Sequence, residues 1–172
     1  MATTDSTVAI PSDVPAERSP LLEPLGILVG SWQMEARFAE GAFGPDSPAI
    51  VNRDGRTTFE WLDGGFFLIQ RWTVDHPAAP NGIAIIGASD GGPLVQQYFD
   101  SRGVTRRYTM TLEGRCWTLL RENGSAHGHQ RYNGEISDDG NSIDGAWESS
   151  SDGQHWHHDF GLAYRRVLSF PA

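Results

Sequence analysis

Arginine and tyrosine alternate with apolar residues in one segment of the chain. Arg106, Tyr108 and Met110 share one face if this segment is a strand, in which side chains alternate with a period of two. An arginine on a mainly apolar face needs a partner, because an isolated buried charge is very costly. A bound carboxylate or phenolate would supply it, with the Tyr108 hydroxyl as a second donor. The alternative is a position at the end of the barrel, or an ion pair with Glu148 or Glu60.

The second candidate for chemistry is a group of histidines near the C-terminus. Trp156, His158 and Phe160 share one face of the expected last strand, so we expect His158 to face the interior. An imidazole there could transfer protons, contact a ligand or ligate a haem iron, and Glu148 is the other candidate for proton transfer. The alternative is a core histidine that hydrogen-bonds to a neighbour. His155 and His157 lie on the polar face of this strand, where Asp159 is the one further candidate ligand, so no metal site is predicted.

Further inward positions complete the predicted binding site. Gln70 lies between Leu68 and Trp72 on an apolar face, so it either ties strands together or contacts a polar group of a ligand. The chain has six tryptophans, and aromatic walls are typical of sites for flat or hydrophobic ligands, although core packing explains them equally well. The residues predicted to contact a ligand are Trp32, Gln70, Trp72, Arg106, Tyr108, Trp147 and His158.

Composition excludes several other kinds of chemistry. All 13 basic residues among the 172 are arginine, which excludes Schiff-base catalysis, pyridoxal-phosphate attachment and a Walker-type phosphate lysine. A formal net charge of −9 argues against nucleic acid or an anionic membrane as the main partner. Cys116 is the only cysteine, so no internal disulfide is expected. We find no signal peptide or membrane span near the N-terminus and therefore expect a cytoplasmic protein.

The elements that must position these residues are strands. From Ser31 onward the hydrophobic period is two, and glycine-containing turn sequences recur about every ten or eleven residues, as at Gly92, Gly103 and Gly114. About ten strands follow one another without a helix of crossover length, so neighbours must pair antiparallel. We therefore predict an all-β fold, a ten-stranded antiparallel up-and-down barrel, because closure removes the exposed edges of the sheet. A two-sheet sandwich is the competing architecture.

Two short segments precede the strands. Residues 1–19 are small, polar and interrupted by proline, so we predict a flexible N-terminal tail. Leu21, Leu25 and Leu28 then fall at helical spacing. A helix of one or two turns needs tertiary packing to exist, so we expect it to plug one end of the barrel. Residues 20–172 are predicted to form a single β-barrel domain.

Two stretches of the chain resemble known barrels. The run Leu28-Val29-Gly30-Ser31-Trp32 resembles the start of calycin-type barrels, where a helix leads into a Gly-x-Trp first strand. The second half is similar to an uncharacterised bacterial family that is thought to share the barrel of nitrobindins and fatty-acid-binding proteins. The matching motifs are the run Tyr132–Ser150, the pair Asp152-Gly153 and the pattern Trp156-x-x-Asp159-Phe160-x-Leu162-x-Tyr164-x-Arg166. The resemblance spans roughly residues 21–166 and implies a calycin-like ten-stranded barrel with a short N-terminal helical plug.

The relatives in this resemblance imply two kinds of ligand, and the chain departs from both ligand motifs. Nitrobindin-like barrels hold haem through a histidine on a late strand, so haem with His158 as axial ligand is our third hypothesis. Asp159, however, falls where that histidine would align relative to Arg166. Fatty-acid-binding barrels hold a carboxylate with an Arg-x-Tyr pair near the C-terminus, whereas the last strand here contains Tyr164-Arg165-Arg166.

The sequence therefore predicts a protein that binds a small hydrophobic molecule, with a carboxylate or carbonyl group, in a barrel cavity. The alternative is a cyclase, isomerase or dehydratase in which His158 or Glu148 moves a proton while Arg106 and Tyr108 stabilise an enolate-like oxygen. No cofactor is expected unless haem binds. Three points stay open: whether side chains fill the cavity, whether the protein is an enzyme, and whether it forms a homodimer.

Overall fold

A 3₁₀ helix and ten strands make up the regular structure of the described residues, which are 17–76, 79–89, 91–122 and 128–170 in a computed structural model. Most of the tail predicted for residues 1–19 lies outside these ranges. The elements are the plug helix Pro20–Leu28 and the strands β1 Gly30–Phe38, β2 Ile50–Trp61, β3 Phe67–Val74, β4 Gly82–Ala88, β5 Leu94–Asp100, β6 Thr105–Glu113, β7 Cys116–Arg121, β8 His129–Ile136, β9 Ser142–Ser150 and β10 His157–Val167. None of the described helices has the length and apolar character needed to cross a membrane.

The ten strands close into one barrel. Each strand pairs antiparallel with its neighbour in sequence, and β1 completes the ring by pairing with β10. The closing pair runs from Ser31 opposite Val167 to Arg37 opposite Gly161. The predicted all-β, ten-stranded antiparallel barrel with a short N-terminal helix is therefore confirmed.

The period of two in the sequence decides which side chains fill the barrel. On β6, Tyr108, Met110 and Leu112 are buried, whereas the intervening Thr109 and Thr111 are exposed. Turning alternate side chains inward gives each strand one apolar face, and ten such faces enclose a single core. The largest side chains of this core that are almost fully buried are Trp32, Trp117, Tyr108, Tyr132 and Phe59.

The plug helix presents a different face from the one predicted. Leu22, Leu25 and Leu28 are buried, whereas Leu21 is 49% exposed. A 3₁₀ helix has three residues per turn, so residues three apart lie on the same side. The expectation that Leu21 packs inward assumed an α-helical turn and is wrong by one position.

Arg166 of β10 ties the plug helix to the barrel. Its guanidinium donates hydrogen bonds to the carbonyl oxygens of Ile27 (2.6 Å), Val29 (2.7 Å) and Gly140 (3.2 Å). It also lies 4.1 Å from the centroid of the Trp32 ring. The bonds to Ile27 and Val29 reach backbone carbonyls at the end of the helix, where intrahelical partners run out. The helix therefore covers the end of the barrel at which β1 begins, here called the plug end.

The opposite end of the barrel, where β1 ends and β10 begins, is less tightly packed and is here called the mouth. Inward side chains near the plug end, such as Phe59 and Trp117, are at most 2% exposed. Inward side chains near the mouth, such as Trp72, Tyr98 and Trp147, are only partly buried. Side chains thus fill the plug end, and the inner wall meets solvent at the mouth.

Candidate functional site

Five inward side chains form a continuous group at the mouth, here called the mouth cluster. Trp72 of β3 stacks on Tyr98 of β5, with ring centroids 5.0 Å apart and an interplanar angle of 26°. The guanidinium carbon of Arg106 on β6 lies 5.9 Å from the centroid of the Tyr98 ring. Tyr108, two residues further along β6, meets the Trp147 ring of β9 edge-on at 5.5 Å. The structure therefore brings together four of the predicted contact residues, Trp72, Arg106, Tyr108 and Trp147.

Strand register explains why these residues meet. In the β5–β6 pair, Tyr98 lies opposite Arg106 and Gln96 lies opposite Tyr108. Directly opposed residues of an antiparallel pair point to the same face, with their Cβ atoms about 5 Å apart. The β5–β6 hairpin thus presents one charged and several polar groups to the lumen, on a wall that is otherwise aromatic.

A carboxylate at the tip of this hairpin fixes Tyr98. Asp100 accepts hydrogen bonds from the Tyr98 hydroxyl (2.8 Å), from the Arg102 guanidinium (2.6 Å) and from the backbone N–H groups of Arg102 (2.9 Å) and Val104 (3.2 Å). Burial raises the pKa of the Asp100 carboxyl. These hydrogen bonds lower it by more, and they hold this pKa well below its usual range. Burial, together with the bond to Asp100, raises the pKa of Tyr98. Tyr98 is therefore a neutral, fixed part of the wall.

Arg106 is the charged member of the mouth cluster. The sequence suggested two carboxylates as its partners, and both are engaged elsewhere. Glu60 pairs with Arg71 at 3.2 Å, and Glu148 pairs with Arg131 at 2.6 Å. Among the residues that the structure describes, no carboxylate lies within 4.0 Å of the Arg106 guanidinium. A guanidinium partly withdrawn from water, without a close counter-ion, favours a bound anion or carbonyl oxygen.

Tyr108 supplies a neutral hydroxyl beside this guanidinium. It donates to Gln130 Oε1 at 3.3 Å, and Arg121 donates to the same oxygen at 3.3 Å. Burial raises the pKa of Tyr108 more than Arg106 and Arg121 lower it, so the phenol stays protonated. Its bond to Gln130 is long for a hydroxyl donor, and rotation of the hydroxyl would redirect it to a ligand oxygen.

Trp32 and Gln70, also predicted as ligand contacts, lie in the packed core instead of at the mouth. Trp32 is 0% exposed, and its indole N–H donates to the Leu28 carbonyl at 2.7 Å. Gln70 is 6% exposed, and its Nε2 lies 3.4 Å from Thr57 Oγ1. A hydrogen bond with Gln70 also lowers the pKa of Tyr164, against the larger raising effect of burial. These contacts support the structural alternatives for both residues.

The inward orientation predicted for His158 is wrong. Strand β10 has an irregularity between His158 and Phe160, because Phe160 pairs with Trp147 whereas His158 pairs with the next residue, Glu148. The extra residue, Asp159, is a β-bulge that reverses the alternation of side chains. His158 therefore lies on the outer face and is exposed. Neither haem ligation nor proton transfer within the lumen fits this orientation.

Glu148 shares the outer face with His158. Its carboxylate accepts hydrogen bonds from Arg131 at 2.6 Å and from Asn133 at 3.2 Å. The bond from Arg131 lowers the pKa of Glu148 and outweighs burial, and Asn133 and the nearby His158 lower it further. A carboxylate that is held ionised and turned away from the lumen is poorly placed to act as a general acid on a ligand inside.

Two residues of the mouth, Asp159 and Tyr98, are not among the predicted ligand contacts. The period of two puts Asp159 on the outer face, but the bulge brings it within electrostatic reach of Arg106. Desolvation by the surrounding protein raises the pKa of Asp159, and His158 and Arg106 lower it. No pattern in the sequence marks the bulge. Tyr98 could have been found, since β5 alternates with the same period as its neighbours.

A polar groove of about 380 Å³ lies outside the lumen, across β1, β2 and β3 near the mouth. Its lining residues are Gln33, Arg53, Asp54, Arg56, Thr73, Val74, Asp75 and Asn81. The lining mixes both signs of charge and includes none of the residues predicted to contact a ligand.

Comparison with known proteins supports the fold. No family model and no curated protein matches the chain. Among solved structures, the chain is similar to the crystal structure of Rv2717c from M. tuberculosis, with a TM-score of 0.56 and 16% sequence identity. The match covers 88% of this chain and 99% of that chain. At this identity the similarity shows the fold alone, so the chain is a ten-stranded barrel with a solved structural neighbour, and its relationship to calycins and nitrobindins stays a prediction.

Proposed function

We propose that the mouth of the barrel binds a small hydrophobic molecule through a carboxylate or carbonyl oxygen. The observation that supports this most directly is Arg106, which lies on the inner wall without a close carboxylate among the described residues. A ligand oxygen at that guanidinium would form a charge-assisted hydrogen bond, which is stronger than a neutral one. The Tyr108 hydroxyl, next on the same face of β6, is the second donor.

The rest of the mouth cluster favours an apolar or flat ligand body. The stacked pair of Trp72 and Tyr98 adjoins Arg106 through the Tyr98 ring, and Tyr108, which meets Trp147 edge-on, lies two residues further along the same strand. The partly exposed rings of Trp72, Tyr98 and Trp147 gain free energy when a hydrophobic ligand removes them from water. A few fixed polar groups among aromatic walls are typical of small-molecule sites.

Binding is favoured over the enzymatic alternative by the orientation of the two proposed acid–base residues. His158 and Glu148 oppose each other on the outer face of β10 and β9. They therefore cannot reach a molecule whose oxygen lies at Arg106 unless the strands rearrange. The mouth keeps an anchoring cation and a neutral donor, which are sufficient for binding.

Titration with a matched pair of probes tests this proposal. The probes are 2-naphthoate and its methyl ester, which share the ring and the carbonyl but differ in charge, and tryptophan fluorescence reports their binding. Arg106→Ala should weaken binding of the acid by about 1.5–3 kcal/mol, roughly 10- to 150-fold in Kd. Arg107→Ala is the matched control, because Arg107 is adjacent in sequence but faces outward and is exposed. It should leave both affinities unchanged.

A second variant tests the charge of the ligand group. Asp159→Asn removes a negative charge near Arg106 and should tighten binding of the acid without affecting the ester. A preference for the ester in the wild-type protein would identify a carbonyl as the ligand group. If Arg106→Ala and Arg107→Ala weaken the acid equally, or if neither has an effect, then Arg106 is not the anchor.

A further inference from the structure

The outer face of the barrel carries a group of apolar side chains on three neighbouring strands. The outward positions of β3, β4 and β5 that form this apolar patch are Phe67, Ile69, Ile83, Ile85, Val95 and Phe99. Phe67 is 42% exposed, Ile85 37% and Phe99 39%, and Ile83 is partly exposed, whereas Ile69 and Val95 are buried at 8% each. The outward positions of β8, by contrast, are Arg131, Asn133 and Glu135. Contiguous exposed apolar side chains bordered by polar ones are typical of interaction surfaces, whereas scattered ones are not.

One row of outward residues crosses the patch and has opposite charges at its ends. Glu60 of β2 pairs with Ile69, which pairs with Ile85 of β4. Ile85 pairs in turn with Gln97, which pairs with Arg107 of β6. Ile85 is therefore central, with an acidic and a basic residue each two strands away, about 10 Å on either side.

We propose that the apolar patch is the interface of a homodimer, whose two-fold axis lies in the interface and runs along β4 at Ile85. In an isologous contact the same surface of both copies is used, so the patch must complement itself. An axis along β4 places Ile85 against Ile85 of the partner subunit. It also brings Glu60 to the same side as Arg107 of the partner subunit.

The charges of Glu60 and Arg107 favour this axis over the other two-fold axis in the plane of the interface, which runs across the strands. A two-fold axis running across the strands at Ile85 would bring Glu60 beside Glu60 of the partner subunit, which is a repulsive contact. The next row of outward residues favours the same two-fold axis. There Arg71 pairs with Ile83, and Ile83 pairs with Phe99. The axis along β4 places Arg71, which also pairs with Glu60 of its own chain at 3.2 Å, against Phe99 of the partner subunit, where a guanidinium on an aromatic ring is favourable.

The shape of the patch assigns different tasks to its centre and its rim. Because the wall of a barrel is convex, the closest approach of two copies lies along β4, and strands β2 and β6 curve away from it. Ile83 and Ile85 therefore supply the buried apolar area. The charges of Glu60 and Arg107 lie at the rim, where they set the orientation of the two copies more than the affinity.

Sedimentation equilibrium of the full chain at about 1–100 μM tests the dimer. We expect the wild-type mass to be twice that of the chain, and Ile85→Arg to return it to the monomer value. Val51→Arg is the matched control, because Val51 is 48% exposed on β2 outside the patch. It should leave the dimer intact. Far-UV circular dichroism shows whether each variant keeps the barrel, so that loss of the dimer is not confused with unfolding.

Charge reversal and crosslinking test the axis. Glu60→Arg and Arg107→Glu should each weaken the dimer several-fold, and the double variant should restore it. In a Cys116→Ser background, Ile85→Cys should crosslink to itself with a short bis-maleimide, whereas Val51→Cys should not. A monomeric wild-type protein at 100 μM, or equal effects of Ile85→Arg and Val51→Arg, would overturn the dimer. Failure of the double charge reversal, or of the Ile85→Cys crosslink in a dimeric protein, would overturn the axis.

Discussion

The Asp100 carboxylate shows how much one residue contributes to the geometry of the mouth. It joins Tyr98 to the β5–β6 turn through five hydrogen bonds, three of them from Arg102. Asp100→Asn keeps the shape but removes the charge, so the free energy of unfolding at pH 7 should fall by about 1.5–3 kcal/mol. Binding at the neighbouring Arg106 should weaken as well, since the bond that fixes the Tyr98 ring becomes weaker without the charge.

The lowered pKa of Asp100 adds a dependence on pH to this prediction. A carboxyl whose pKa falls on folding stabilises the protein fully above the pKa of the unfolded chain, about 3.9, and loses this contribution as the pH falls below that value. The difference between wild type and Asp100→Asn should therefore be smaller at pH 3 than at pH 7 in urea unfolding. Asp46→Asn, at an exposed carboxyl outside the strands, is the control. A difference that does not change with pH would contradict the role given to the charge.

At the scale of elements, the plug helix depends on a side chain from the far end of the sequence. Arg166→Met keeps an apolar stem over Trp32 but removes the donors to Ile27, Val29 and Gly140. Leaving partly buried carbonyls unpaired should destabilise the fold by about 2–4 kcal/mol. Its neighbour provides the control, because Arg165 faces outward in an exposed pair with Asp144. Arg165→Met should cost less than about 1 kcal/mol. Thermal unfolding measures both, and equal losses would show that Arg166 does not anchor the helix.

The strands also show what the sequence could and could not predict. The period of two identified the ten strands and the inward faces of β1, β3 and β6, because alternation in a strand is set by backbone geometry. It failed at His158, because one bulged residue reverses the alternation and leaves no mark in the hydrophobic pattern. It also predicts the face of a residue but not its depth along the barrel. Trp32 and Trp72 both point inward, but Trp32 is buried near the plug end whereas Trp72 lines the mouth.

At the scale of the whole molecule, the pairing of β1 with β10 makes the fold non-local. Folding rates fall as the average sequence separation of contacting residues rises, because the loops between them must close first. We therefore expect refolding from urea, followed by tryptophan fluorescence, to take from about 10 ms to several seconds or longer. Complete refolding in less than a millisecond would show that the barrel gains most of its stability before the ring closes.

Ring closure also has a consequence for the chain as it is synthesised. About 120 residues separate the end of β1 from the start of β10, and translation at 5–20 residues per second takes about 6–24 s to cover them. Throughout that interval β1 has no partner on one side and the growing sheet has a second free edge, and free edges pair readily with other chains. The nascent sheet is thus exposed to aggregation for the whole of this interval, which ends only when the last strand has left the ribosome and can pair with β1.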